Sequence, residues 1–167
     1  KLESAAHLSG RAQNIFINGN LDEAIVKFER VLDDYPNTQG AIQSLVYILS
    51  DAIKNNNIDE IIRLLEENKV STKDPIVSCA ILKLKGDLSI ANGNYSDALK
   101  YYKRAQSKSI SNVLKYNLDI AITYIIQENY SDAVKALEKI INDADVAFNE
   151  KNMAEELMAY TIHKMDI

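Results

Sequence analysis

Tryptophan is absent from this 167-residue chain; cysteine occurs once, proline and histidine twice each, and glycine five times. Each scarcity excludes something. The single Cys79 rules out an internal disulfide and leaves the compartment, cytoplasm or periplasm, open. So few prolines and glycines cannot punctuate many short strands, so the chain has to run in long elements. His7 and His163 lie at opposite ends, neither with a Cys or a second His at ligand spacing, so no metal or other cofactor is expected. A basic excess is also missing. Net charge is −5, and the lysines and arginines are scattered among acids, which leaves no stripe to neutralise a phosphate backbone and no expectation of nucleic-acid binding. No run approaches the roughly 18 apolar residues of a spanning helix, so direct membrane insertion is not expected.

Catalytic patterns are equally sparse. There is no glycine-rich phosphate loop, and the pairs Asp33/Asp34 and Glu66/Glu67 fall at helix ends in solvated stretches rather than in an acid–base arrangement. Cys79 has no basic neighbour to activate it and reads as a small hydrophobe. An enzyme is not expected. The chain starts at Lys1 without Met and without a signal-like segment, which reads as an excised fragment of a larger protein.

What is present is repetition. The stretch Gly93-Asn94-Tyr95-Ser96-Asp97-Ala98-Leu99-Lys100-Tyr101-Tyr102 has relatives that begin at Gly19-Asn20 and Glu128-Asn129, and a weaker one at Asn56-Asn57. In every copy an Asn (Asn20, Asn57, Asn94, Asn129) precedes by three residues an acid (Glu23, Glu60, Asp97, Asp132), and an apolar stripe at helical spacing follows. That pattern starts a helix. The Asn side chain can accept from an orphan amide of the first turn, and the acid answers the positive end of the helix dipole. Gly19, Pro36, Gly40, Pro75 and Gly93 sit where helices are expected to end.

The whole chain then reads as an all-α array in one domain, residues 1–167. Helix pairs are expected over about 2–36, 38–70, 75–108 and 112–143, with a last helix over about 146–165. The short turns force each pair antiparallel. Ala24 is the small residue expected at the first close crossing, and Ile61, standing where other copies have Ala, predicts a looser second pair. Gly86 costs a helix about 1 kcal/mol against Ala, so a close crossing is needed to explain it. The longest polar connection is Lys69 to Pro75.

These copies resemble the tetratricopeptide repeat, a helix-turn-helix unit of 34 residues. The likeness rests on the pairs Ala24/Phe28 and Ala98/Tyr102, the small residues Ala12, Gly86 and Ala121, the turn residues Gly19 and Gly93, and Pro36. The signature Trp is absent, and the second copy departs at Leu49 and Ile61. The resemblance implies a right-handed superhelix closed by a C-terminal capping helix, and a protein or peptide partner held in the concave groove. By register, the implied partner-binding residues are Ser9, Gln13, Gln43, Ser50, Lys54, Lys83, Asp87, Lys115, Leu118 and Ile122. The carboxylate clamp of chaperone-binding members is not reproduced, because Ser9, Gln13, Ala80 and Leu84 occupy four of its positions. The Asp33-Asp34-Tyr35-Pro36-Asn37 ending also resembles bacterial members that assist cell-envelope or multiprotein-complex assembly.

Two features invite a choice. Tyr95, Tyr102, Tyr124 and Tyr130 fall on repeat-core positions, which leaves Tyr101 and Tyr116 as the tyrosines of interest for an interface. The last helix carries Val146, Met153, Leu157, Met158, Ile162 and Met165, a soft apolar face. It reads first as a cap for the terminal repeat and second as a contact for a partner or a homodimer.

Overall fold

The computed structural model describes residues 2–67, 72, 74–109 and 113–166. Among them are nine helices and no strand: α1 Leu2–Ile17, α2 Leu21–Asp34, α3 Gln39–Lys54, α4 Ile58–Glu67, α5 Pro75–Ala91, α6 Tyr95–Lys108, α7 Val113–Ile126, α8 Tyr130–Ile141 and α9 Phe148–Met165. The all-α expectation holds, in the expected order of pairs. The polar connection expected between the second and third pairs lies largely outside the described residues.

The turns inside the pairs are one device used four times. The backbone enters the left-handed region at Gly19 (φ 86°), Asn56 (53°), Gly93 (73°) and Glu128 (58°). At each, the amide of that residue reaches back three residues and the next amide reaches back five, as in Gly19 N to Phe16 O (3.0 Å) and Asn20 N to Ile15 O (3.2 Å). This paired pattern satisfies the last carbonyls of the first helix and turns the chain directly into the second. The Asn that follows is less uniform than expected. Asn57 and Asn129 do accept from Glu60 N (3.3 Å) and Asp132 N (3.4 Å). Asn20 and Asn94 make no side-chain cap; Asn20 turns its amide group to donate to Glu23 Oε2 at 2.8 Å.

Gly40 does not end a helix. It lies in the first turn of α3, where a Cβ would collide with the Ala5 carbonyl of α1, so its missing side chain sets a close α1–α3 approach. The stop before α3 is made instead by Asn37 in the left-handed region and by Thr38, whose hydroxyl donates to Tyr35 O (2.7 Å) and accepts from Ala41 N (3.2 Å). Pro75 likewise starts a helix, with Asp74 accepting from Ile76 N (2.8 Å) and Val77 N (3.3 Å) ahead of it.

The chain divides into two compact units, residues 1–73 and 74–167. In the first, the completely buried Ala24 and Phe28 of α2 face α1 and α3, and Phe28 stacks on Tyr47 with centroids 4.9 Å apart while Phe16 meets Tyr47 edge-on at 5.2 Å. α4 joins α3 sparsely, as the bulk of the buried Ile61 predicts. In the second unit, Ala98, Tyr102, Ile120, Ala121, Leu137, Ile140 and Ala154 form one core cluster. Cys79, Leu82, Ala105 and Tyr116 form another. Gly86 has the packing reason expected of it: a Cβ there would strike the Tyr102 ring.

Two sequence expectations change. Tyr116 is only 7% exposed and packs on Cys79 and Leu82, with Tyr101 half-buried against the same cluster, because α7 turns that side chain into the α5–α6 pair. It is core, not interface. The apolar residues expected on the last helix also do not make one face. Val146, in the bend before α9, packs with Leu157 and Met158 of α9 against the core beneath α8 and caps it, whereas Met153, Ile162 and Met165 point outward with Phe148 and Tyr160.

Candidate protein-interaction surface

In the first unit, α1 and α3 are neighbouring first helices, and a line of polar bonds crosses between them. Ser44 donates to Ser9 Oγ at 3.3 Å, Ser9 donates to Gln43 Oε1 at 3.3 Å, and the Gln43 amide donates to Gln13 Oε1 at 3.1 Å. Ser9 and Ser44 are fully buried, and Gln43 and Gln13 are both half-buried. The ladder therefore fixes two glutamine rotamers from below. Its last donor, the Gln13 NH2 group, has no acceptor among the described residues. One turn beyond Gln13 stands Ile17, 68% exposed; along the same face of α3 follow Val46 (44%), Ser50, Ile53 (51%) and Lys54. The surface offers amides and branched aliphatics, and Lys54 is its only charge among these residues.

The corresponding face of the second unit is charged. Lys83 of α5 lies 2.9 Å from Asp87 Oδ1, one turn along, and 3.6 Å from Asp119 of α7. The Tyr102 hydroxyl of α6 donates to the same Asp87 oxygen at 2.8 Å. Burial disfavours the Lys83 ammonium, but hydrogen bonding and attraction from Asp87 and Asp119 outweigh it and raise its pKa. Burial, then the hydrogen bond to Asp87, pushes the Tyr102 hydroxyl far above its usual value, so it stays a donor. Beside this cluster Leu118 packs half-buried, and Ile122 and Ile126 continue the α7 stripe into solvent.

Of the ten residues expected by register, Ser9, Gln13 and Gln43 come together, Ser50 and Lys54 share their face, Lys83 and Asp87 pair, and Leu118 and Ile122 line α7. Lys115 lies on α7 with its side chain outside the described residues. Sequence reasoning missed Ser44, Asp119, Ile17, Val46, Ile53 and Ile126. A usable signal existed for two: Ser9–Ser44 and Lys83–Asp119 are 35 and 36 residues apart, one repeat, so the same register read one copy later finds the partner.

Among the described residues no group of three or more His, Cys, Asp and Glu side chains could hold a metal ion, and no helix is long and apolar enough to cross a membrane.

Antiparallel helix pairs, joined by one repeated turn and bonded to each other at one-repeat separations, define an all-α helical-repeat protein. A family model described as Tetratricopeptide repeat matches residues 9–38, from the ladder serine of α1 through α2 to the Thr38 cap, so this segment of the chain carries a repeat similar to that family's. Repeats of this kind generally mediate protein–protein interactions. No curated protein matches the chain.

Proposed function

We propose that this chain is a non-catalytic scaffold that holds an extended segment of a protein partner on the first-helix faces of its repeats. The observation that carries the reading is the α1–α3 face, where Gln13 and Gln43 are held in place from below and flanked by exposed Ile17, Val46 and Ile53. A partner's backbone carbonyl would accept from Gln13, and its apolar side chains would cover the aliphatics. Because the amides are already ordered, most of the ordering cost falls on the partner. Ser9 acts by orienting Gln43. In the second unit, Lys83 and Asp87 with Leu118 and Ile122 offer a polar and an apolar contact of the same kind. We also read residues 1–167 as one repeat array, since the left-handed turn residues recur after 37, 37 and 35 positions straight through the middle of the chain.

The test is selection of short linear peptides that bind the chain, followed by affinity measurements on Val46→Glu, Ile53→Glu and Gln43→Ala. A loss of about tenfold or more on the first two, with helicity intact, is expected. Unchanged affinity in all three rejects the first-helix face as the site.

A second reading, a homodimer through α9, is supported by the outward Phe148 (79% exposed), Met153, Tyr160, Ile162 and Met165. Sedimentation velocity on dilution decides it: a dimer lost in Tyr160→Glu/Ile162→Glu supports it, and a monomer at every concentration rejects it.

A further inference from the structure

The chain is acidic overall, yet one cleft in its first unit is cationic. It lies in the seam between α1 and α2, away from the ladder, and has a volume of about 270 Å³. Leu8 and the buried Val31 make an apolar floor, with Tyr35 at one end. The rim carries Arg11 from α1 and Lys27 and Arg30 from α2, opposed by a single carboxylate, Asp34. In a molecule of net charge −5 this concentration of positive charge stands apart.

The cations are open to exchange. Among the described residues Arg11 has no carboxylate partner. Lys27 and Arg30 each touch one acid on their own helix, Glu23 and Asp34, through a single 3.3 Å contact, and the Arg30 side chain is 81% exposed. Such exposed i,i+4 pairs are weak and readily exchanged. A carboxylate offering both oxygens to a guanidinium is a better partner than either.

We propose that the α1–α2 cleft is a second binding site, for an acidic peptide segment in which glutamate or aspartate side chains flank a leucine-sized apolar residue. The apolar residue occupies the floor over Leu8 and Val31, and the carboxylates replace Glu23 and Asp34 on Lys27 and Arg30 and engage Arg11. The floor separates this ligand from a nucleic acid: a phosphate backbone would satisfy the rim but leave Leu8 uncovered.

The experiment is fluorescence anisotropy of a labelled peptide of alternating Glu-Glu-Leu triplets, with its Lys-Lys-Leu counterpart and a single-stranded oligonucleotide as controls. The acidic peptide is expected to bind at low salt, to weaken about fivefold or more as salt rises through the physiological range, and to lose about tenfold or more in Arg11→Glu/Arg30→Glu. Both positions are exposed, and circular dichroism confirms that the variant is folded. Arg30→Lys, which keeps the charge but loses the two-pronged contact, should bind more weakly than the native chain and more tightly than the double charge reversal. No binding of the acidic peptide, equal binding of the lysine peptide, unchanged affinity in the double charge reversal, or displacement by the oligonucleotide at lower concentration than by unlabelled peptide would overturn the proposal.

Discussion

Four residues hold the left-handed corner inside the helix pairs, and their side chains make them unequal. Gly19 and Gly93 take that conformation without steric cost, Asn56 tolerates it, and Glu128 does so against a penalty of about 1 kcal/mol or more. Glu128→Gly is therefore expected to raise unfolding stability by about 0.5–1 kcal/mol in urea titrations, and Gly93→Ala to lower it by a similar amount. Space separates three further glycines. A Cβ at Gly10 meets nothing within 4 Å, so Gly10→Ala in helix α1 should stabilise by about 1 kcal/mol, whereas Gly40→Ala and Gly86→Ala, which strike Ala5 and Tyr102, should each cost about 1–3 kcal/mol. Protonation acts at this scale too. Lys83 and Tyr102 both have folded pKa values raised above their ordinary 10.5 and 10.0, so their contribution is complete below about pH 10 and is lost as pH rises further. Urea midpoints should be flat from neutral pH to about 9.5 and then fall, and Tyr102→Phe should reduce the fall.

Among elements, the pairs were legible because their signals are local: a 3.6-residue stripe, a glycine or Asn corner, and an acid in the first turn. Caps depended on more than spacing. The same Asn-x-x-acid pattern accepts an amide bond at Asn57 and Asn129 and none at Asn20 and Asn94, and donation to the acid's carboxylate does not decide it, since Asn20 and Asn129 both donate to theirs. α9 shows the limit clearly. Its Met and Leu residues follow helical spacing, but only contact with α8 separates the inward Leu157 and Met158 from the outward Met153 and Ile162. The residue that caps the start of α9 is Ala147, which is extended and has no side-chain acceptor. Ala147→Asp should add about 0.5–1 kcal/mol to the second unit, and a thermal midpoint unchanged in that variant would show that the start of α9 frays independently of the core.

At the scale of the molecule, each unit closes its own core. Residues 74–167 bury both clusters among α5 to α9, with Gly86 against Tyr102 and α9 over α8. Expressed alone, that segment should give a helical circular-dichroism spectrum and a cooperative urea transition, as neighbour-limited packing in repeat proteins implies; a non-cooperative melt would show that its stability depends on residues 1–73. By itself the sequence determined the helices, their pairing and the turn positions, because each rests on interactions within about five residues. Tertiary structure decided which side chains remain for a partner. Ser9 is consumed beneath Gln43, Lys83 is shared between Asp87 and Asp119, Tyr116 is buried on Cys79, and Val46 and Ile53 are left in solvent. Those outcomes turn on contacts roughly one repeat away, where helical spacing places a residue on a face without saying what the next helix puts opposite it.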